Sequence, residues 1–174
     1  QDRLNTSCEG QGCHNYMSGG SRWVKTVDTI VIESASSFSF AVVGDSQGKD
    51  MLSEIVGRVN EHSPDLLLHL GDTVPRARQE TLEVFRQDMQ GLNCGFRVTP
   101  GNHDIKDNDT LFYDMFDTGD FYFDHGGIRF VSVDSSTQDI TGDQFDWMEG
   151  VLENATGRKV VFSHVPSWDP TGGN

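Results

Sequence analysis

The chain has 174 residues, of which 35% are hydrophobic and 10% aromatic, and this is enough to bury the core of one domain. It carries 27 acidic and 13 basic residues, giving a formal charge of −14. Such a surface repels polyanions, so the composition argues against nucleic acid as a partner. No apolar run approaches the roughly 20 residues of a membrane span. A phosphate ester would also be repelled unless bound cations reversed the local field.

Residues 1–36 form a tail or a small module of their own. Polar and small residues dominate up to Ser21, and within this stretch only residues 23–32 have the pattern of a strand. The chain begins with Gln1 and shows no signal-peptide pattern, so a leader was removed on export or the chain was trimmed. We expect an exported protein, extracellular or periplasmic.

Cys8, Cys13 and His14 lie close together in this first stretch. In an exported protein Cys8 and Cys13 could form a local disulfide, which would leave Cys94 as a buried apolar residue. Two thiols followed directly by a histidine also suit covalent attachment of haem c, with His14 as an iron ligand. The usual attachment motif has two residues between the cysteines, whereas this one has four, a spacing that resembles a variant in some multihaem cytochromes. Both interpretations stay open, and a zinc site with three local ligands is a weaker third.

From residue 38 onward, apolar strands alternate with amphipathic helices, which is typical of βαβ units and a mainly parallel sheet. The predicted strands are 38–43, 66–70, 96–99, 121–124, 128–133 and 159–162, and the predicted helices are 50–62, 80–90 and 141–154. Gly126 and Gly127 indicate a hairpin turn. Thr141 suits the N-cap of the last helix, whose Phe145, Met148 and Leu152 are expected to face the core. The sequence therefore predicts an α/β domain over residues 37–174.

Four short polar clusters directly follow four of these strands. They are Gly44-Asp45-Ser46-Gln47, Gly71-Asp72-Thr73, Gly101-Asn102-His103-Asp104 and Ser163-His164-Val165-Pro166. Ligands of open parallel sheets bind beyond the carboxyl ends of the strands. Any one of these clusters alone would be ordinary turn chemistry, but four in order predict a site. We expect its side chains to lie along one rim: Asp45, Asp72, Asn102, His103 and His164.

The donor types of this rim suit metal ions. Carboxylate, carboxamide and imidazole groups accommodate Mn, Fe, Zn or Co better than a metal that seeks thiolates. Two ions about 3.5–4 Å apart can share a bridging carboxylate and clamp the attacking and leaving oxygens of an in-line displacement. Asp72 is the natural bridge, with Asp45 on one ion and Asn102 and His164 on the other. His103 could donate a proton to the leaving alkoxide.

The Gly-Asp pairs, the Gly-Asn-His-Asp run and the His-x-Pro ending at Pro166 make residues 38–174 resemble the calcineurin-like metallophosphoesterases. That family includes purple acid phosphatases and cyclic-nucleotide phosphodiesterases. The resemblance implies a β-sandwich of two mixed sheets flanked by helices. It also implies hydrolysis of phosphomonoesters or phosphodiesters by metal-bound hydroxide. The family's metal ligands fall on Asp45, Asp72, Asn102 and His164, and its catalytic histidine falls on His103.

Two features depart from the family pattern. Many members carry Asp-x-His in the first motif, where this chain has Gln47, a neutral oxygen donor that should hold the first ion less tightly. The last family motif, Gly-His-x-His, has no counterpart before Asn174. We therefore expect the domain to be incomplete at its C-terminus, with another chain or a missing segment completing the site.

The predicted function is metal-dependent hydrolysis of a phosphate ester. The alternative is a non-enzymatic subunit, structural or bearing a c-type haem, that retains a phosphoesterase scaffold.

Overall fold

The structure is a computed structural model of the chain. It describes residues 14–15, 24–25, 38–47, 49–106 and 109–166. Cys8, Cys13 and most of the strand predicted at 23–32 lie outside the described residues. Two short strands, β1 (His14–Asn15) and β2 (Val24–Lys25), pair in antiparallel orientation.

The first of two three-stranded sheets is wholly parallel. Its strands are β3 (Phe40–Val43), β4 (Leu66–His69) and β5 (Gly95–Val98), in that order across the sheet. Two helices make the crossovers, α1 (Lys49–His62) and α2 (Gln79–Met89). Every residue of β4 is buried because the strand is central and covered on both faces. The three carboxyl ends therefore meet at one edge of the sheet.

The second sheet is mixed. Strands β6 (Phe121–His125) and β7 (Ile128–Ser132) form an antiparallel hairpin, and β8 (Arg158–Phe162) pairs with β7 in parallel. The predicted turn is present at Gly126 and Gly127, whose φ angles of 57° and 73° suit a two-residue hairpin turn.

Two short helices lie in the connection between the two sheets, and a longer one connects β7 to β8. They are α3 (Asn102–Ile105), α4 (Asp109–Phe116) and α5 (Gly142–Glu153). Only α5 is predicted by the sequence pattern, since α3 and α4 are short and lack a long amphipathic repeat.

Alternate residues of β4 point into two separate cores. Leu66 and Leu68 pack with phenylalanines of the second sheet, so this core fills the space between the sheets. Leu67 belongs to the other core, beneath the helices. As predicted, that core includes the inward face of α2, namely Leu82, Phe85 and Met89. The result is the expected α/β architecture of two sheets flanked by helices.

The prediction for the face of α5 is wrong. Thr141 does cap the helix, because its hydroxyl accepts a hydrogen bond from the backbone nitrogen of Gln144. Yet no residue of α5 is buried, and Phe145 is 49% exposed. The helix is tied to β7 by Arg129, which donates to the carbonyl of Val151, while Phe145, Met148 and Leu152 line an open groove. Helical periodicity shows that an apolar face exists, but it does not show what covers that face.

Two phenylalanines on helices give a matched test of this difference. Phe85 of α2 is 1% exposed, whereas Phe145 of α5 is 49% exposed. We expect Phe85→Ala to lower the free energy of unfolding by about 3–5 kcal/mol, because it leaves a cavity in a packed core. Phe145→Ala should change it by less than about 1 kcal/mol. Urea unfolding of both variants measures the difference, and equal losses would contradict the burial described here.

Cys94 also differs from expectation. It is partly exposed and packs against the core beneath the helices, and partial burial raises the pKa of its thiol.

None of the helices in the described ranges is long and apolar enough to cross a membrane.

Candidate metal centre

Asp45 and Asp72 begin the site at the carboxyl ends of β3 and β4. Their loops are joined by a hydrogen bond from the backbone nitrogen of Asp45 to the carbonyl of Gly71, 3.0 Å long. Both aspartates have left-handed backbones, with φ of 54° and 53°. That conformation is uncommon outside glycine, and such strained residues cluster at functional sites. The chain therefore bends sharply at both positions and presents two carboxylates at the same edge.

Two glycines let the second loop, which carries Asp72, and the third loop, which carries Asn102 and His103, approach each other. A Cβ on Gly71 would lie 2.6 Å from the backbone nitrogen of Gly101, and a Cβ on Gly101 would overlap the backbone of Asp72. This close approach brings the third loop onto Asp72. The backbone nitrogen of His103 then donates to Asp72 Oδ1 at 3.0 Å.

The four polar clusters converge as the sequence predicts. Asp45, Asp72 and His164 each offer one ligand atom, and these three atoms lie within 4.8 Å of one another. Asn102 joins them, with its Oδ1 3.2 Å from His164 Nε2. The structure thus brings together four residues expected to bind metal, while their roles as ligands stay predictions.

His164 is held in an orientation that suits a metal ligand. Its Nδ1 lies 2.7 Å from the carbonyl of Leu70, which can only accept, so Nδ1 carries the proton of the neutral ring. The lone pair on Nε2 then faces two oxygens, Asn102 Oδ1 at 3.2 Å and Asp72 Oδ1 at 3.4 Å. A proton or a cation between Nε2 and these oxygens would stabilise this arrangement. A divalent ion that accepts nitrogen and oxygen ligands fits this donor set.

Asp72 occupies the middle of the site and is 4% exposed. Its Oδ2 accepts a hydrogen bond of 2.5 Å from the amide nitrogen of Gln47. In this orientation Gln47 fixes the Asp72 carboxylate, because an amide nitrogen donates hydrogen bonds and does not ligate metal. Ligation by the Gln47 oxygen stays a prediction, and the structure gives this residue a second role as a hydrogen-bond donor.

His103 lies at the rim beside these ligands. Its Nδ1 is 3.0 Å from the carbonyl of Pro75, so Nδ1 is the donor, and its Nε2 is 4.0 Å from Asp72 Oδ2. The side chain is 33% exposed. Nε2 is therefore directed at the site, within reach of solvent and of a bound molecule.

Sequence reasoning missed His69, the last residue of β4. It is fully buried, its Nε2 is 2.7 Å from the hydroxyl of Ser46, and its ring meets Phe85 edge-on. Burial lowers the pKa of His69 to about 3. A histidine inside an otherwise apolar buried strand was the pattern that could have revealed it. Through Ser46, His69 supports the loop that carries Asp45.

His69 makes a contribution to folding stability that decreases as the pH falls. Its pKa is depressed, so below its ordinary value of 6.5 the unfolded chain gains a proton that the folded chain refuses until about pH 3. The contribution of His69 to the free energy of unfolding is therefore fully present above pH 6.5. It falls between pH 6.5 and about 3, by up to about 1.4 kcal/mol per pH unit. Asp104 opposes this, because burial raises its pKa from 3.8 to about 6, and it adds stability as the pH falls through that window.

Comparing the wild-type chain with His69→Gln isolates the effect of His69 on the pH dependence of stability, since Asp104 is present in both proteins. Urea unfolding at about pH 5.5 and about pH 4.5 should show the wild-type chain losing about 1 kcal/mol more than the variant. Identical pH dependence in His69→Gln and wild type would contradict the burial of this histidine.

A fifth polar cluster, also missed from the sequence, follows β7. The hydroxyl of buried Ser135 accepts a hydrogen bond from the backbone nitrogen of Val165, 2.8 Å long, and so holds the loop that carries His164. The neighbouring Asp134 accepts from the hydroxyl of Tyr113 at 2.7 Å. The run Asp134-Ser135-Ser136 has the same strand-end placement as the other four clusters, and that placement could have identified it.

The described residues do not test the haem hypothesis. Cys8 and Cys13 are not among the described residues, and only the backbone of His14 is described, paired with Lys25 in β2. Haem attachment, the disulfide and export all stay predictions.

The sequence of the domain matches a family model. The model for calcineurin-like phosphoesterases covers residues 38–174, from the strand before the first cluster onward. The chain belongs to the calcineurin-like phosphoesterase family.

Two curated relatives of this phosphoesterase domain are named as phosphodiesterases. One is a probable glycerophosphodiester phosphodiesterase of Arcobacter nitrofigilis, 28% identical over 115 residues, which are 59% of this chain and 42% of that protein. The other is a probable cyclic nucleotide phosphodiesterase of Synechococcus, 26% identical over 118 residues, which are 64% of this chain and 46% of that protein. The chain thus spans less than half the length of these relatives.

A solved structure shares the fold of the phosphoesterase domain. It is a dimetal phosphatase from Danio rerio, with a TM-score of 0.58 and 14% sequence identity. The match covers 75% of this chain and 70% of that one. At this identity the likeness supports the architecture of two sheets flanked by helices.

Proposed function

We propose that this domain hydrolyses phosphate esters, phosphodiesters in particular, at a centre of two divalent ions. The observation that carries the proposal is the convergence of Asp45, Asp72 and His164, whose ligand atoms lie within 4.8 Å. Membership of the calcineurin-like phosphoesterase family supports the reaction class. The names of the two curated relatives support a diester over a monoester.

Different residues would bind the two ions. Asp72 would bridge them, since it is central and both of its oxygens face neighbours in the site. Asp45 would hold one ion, and Asn102 and His164 would hold the other. Bound divalent ions would supply the positive charge that this acidic protein lacks and would lower the pKa of a water molecule. Mn, Fe, Zn or Co all suit the donors.

His103 is assigned the proton transfer to the leaving group. The Pro75 carbonyl holds Nδ1, so the ring turns Nε2 toward the site and cannot easily swap its nitrogens. Because Nδ1 keeps its proton, the donor would be the doubly protonated ring, which would pass its Nε2 proton to the departing alkoxide and become neutral imidazole; without this proton the alkoxide would leave as a strong base. The partial exposure of the ring keeps this proton in exchange with solvent.

Among the residues that the structure describes, the ion beside Asp45 would have fewer donors than the other. Gln47 is neutral and its amide nitrogen is engaged with Asp72. Each curated relative is more than twice as long as its matched segment. We infer that further ligands for this ion come from sequence beyond the matched part or from another chain.

Activity assays test the proposal, using the metal-depleted protein together with the sequence or chain that completes the site. Addition of Mn²⁺, Co²⁺, Zn²⁺ or Fe²⁺ should restore hydrolysis of bis-p-nitrophenyl phosphate, at least about tenfold faster than p-nitrophenyl phosphate. His103→Ala should lower the rate by about 10²–10⁴-fold without changing the bound metal. Full metal occupancy without turnover of either substrate would contradict the function, and preference for the monoester would contradict its diester part.

A further inference from the structure

Asp104 lies beneath the metal centre and contacts two of its loops. The residue is fully buried, and its carboxylate accepts four hydrogen bonds from described residues. Oδ1 accepts from the backbone and hydroxyl of Thr73, at 2.9 and 2.6 Å, and from the backbone of Val74 at 3.2 Å. Oδ2 accepts from the backbone of Gly101 at 2.8 Å. Such complete pairing is what makes a buried carboxylate tolerable.

Each end of this contact adjoins a predicted ligand. Thr73 directly follows Asp72, and Gly101 directly precedes Asn102. The two loops come from different strands, so nothing in the local chain fixes the distance between them. The Asp104 carboxylate spans that gap, with one oxygen on each loop.

We propose that Asp104 is a positioning residue that holds Asp72 and Asn102 at the separation the metal centre needs. Asp104 does not face the ions or the substrate, because both of its oxygens are engaged by the loops. The inference rests on the proposed function in so far as these loops bind metal.

Because of the arrangement of donors around its carboxylate, the Asp104→Asn substitution tests the positioning role directly. Three donors meet Oδ1 and one meets Oδ2, whereas the carboxamide introduced by Asp104→Asn would present one oxygen and one NH₂ group. In either orientation at least one backbone N–H then faces another donor, so one loop is released while side-chain volume is kept. Asp104→Asn thus separates positioning from the cavity that alanine would create.

Cobalt binding gives a readout other than activity. Metal-depleted wild type and Asp104→Asn would be titrated with Co²⁺, and the visible absorption bands report the geometry of the bound ion. We expect the variant to bind Co²⁺ about 10–100-fold more weakly, as is typical for groups that orient ligands, and to show shifted bands. Circular dichroism and thermal unfolding of the metal-free proteins establish that the variant is folded.

Asn60 supplies the matched control. Its side chain also joins two elements, donating to the carbonyl of Gly91 and accepting from the backbone of Asn93, both at 2.8 Å. These contacts lie at the amino end of β5, the edge of the sheet opposite the metal centre. Asn60→Ala should lower stability without changing Co²⁺ affinity or the absorption bands.

Thr73→Val is the second variant if Asp104→Asn fails to fold. It removes only the 2.6 Å hydroxyl contact, so a smaller loss of Co²⁺ affinity in the same direction is expected. Wild-type affinity and bands in the folded Asp104 and Thr73 variants would overturn the positioning role. An equal loss in Asn60→Ala would also overturn it, because global stability would then explain the effect. A wild-type chain that binds no Co²⁺ would instead refute the proposed function, and the positioning role with it.

Discussion

Gly101→Ala is expected to abolish tight metal binding while the rest of the fold persists. The φ of Gly101 is −103°, which any residue adopts, so the requirement for glycine is one of space. A methyl group there would overlap the backbone nitrogen and Oδ1 of Asp72. Because both are parts of the site, the strain must be relieved by moving Asp72 away from Asn102. Overpacking of this kind costs about 1–3 kcal/mol, and here the displaced group is the proposed bridging ligand.

The measurement is Co²⁺ affinity of the metal-depleted variant, with thermal unfolding beside it. Gly95→Ala is the control, because Gly95 lies in β5 of the same sheet and a Cβ there meets no atom within 4 Å. That variant should bind Co²⁺ like the wild type. Undiminished binding in Gly101→Ala would show that the second and third loops need not approach as closely as described.

Asp72→Asn is expected to have the largest effect on activity. Its carboxylate touches His103, Gln47 and His164, so the change removes the negative charge at the centre of the site. A carboxamide cannot bridge two cations through two anionic oxygens. We expect a loss of about 100-fold or more in metal affinity and at least about 1,000-fold in hydrolysis of bis-p-nitrophenyl phosphate.

Asp114→Asn makes the same change of charge on the exposed surface of α4 and should leave both quantities unaltered. Hydrolysis that survives Asp72→Asn at the wild-type rate would remove Asp72 from the bridging role. A parallel loss in Asp114→Asn would mean that the overall negative charge, not the site, governs the reaction.

Much of the fold and the rim could be predicted because they depend on local patterns. Apolar runs gave the strands of both sheets, and paired glycines gave the hairpin turn at Gly126 and Gly127. The rule that sites form at the carboxyl ends of parallel strands placed Asp45, Asp72 and His164 together before any geometry was known.

The missed residues act through partners that are distant in sequence. Asp104 is 31 residues from Thr73, and His69 is 23 residues from Ser46, so neither contact has a local pattern. The exposure of Phe145 on α5 has a related cause, since periodicity defines a helix face and tertiary packing decides whether it is covered. The division into residues 1–36 and 37–174 stays a prediction.

The most direct test of the central claim is anomalous diffraction from crystals of the protein grown with Mn²⁺. The proposed assignment predicts an anomalous peak between Asp72, Asn102 Oδ1 and His164 Nε2, with a second peak between Asp45 and Asp72 when the remaining ligands of that ion are supplied. A protein crystallised with its four strand-end loops as described, but with Mn²⁺ absent from this position or bound only elsewhere, would contradict the metal centre.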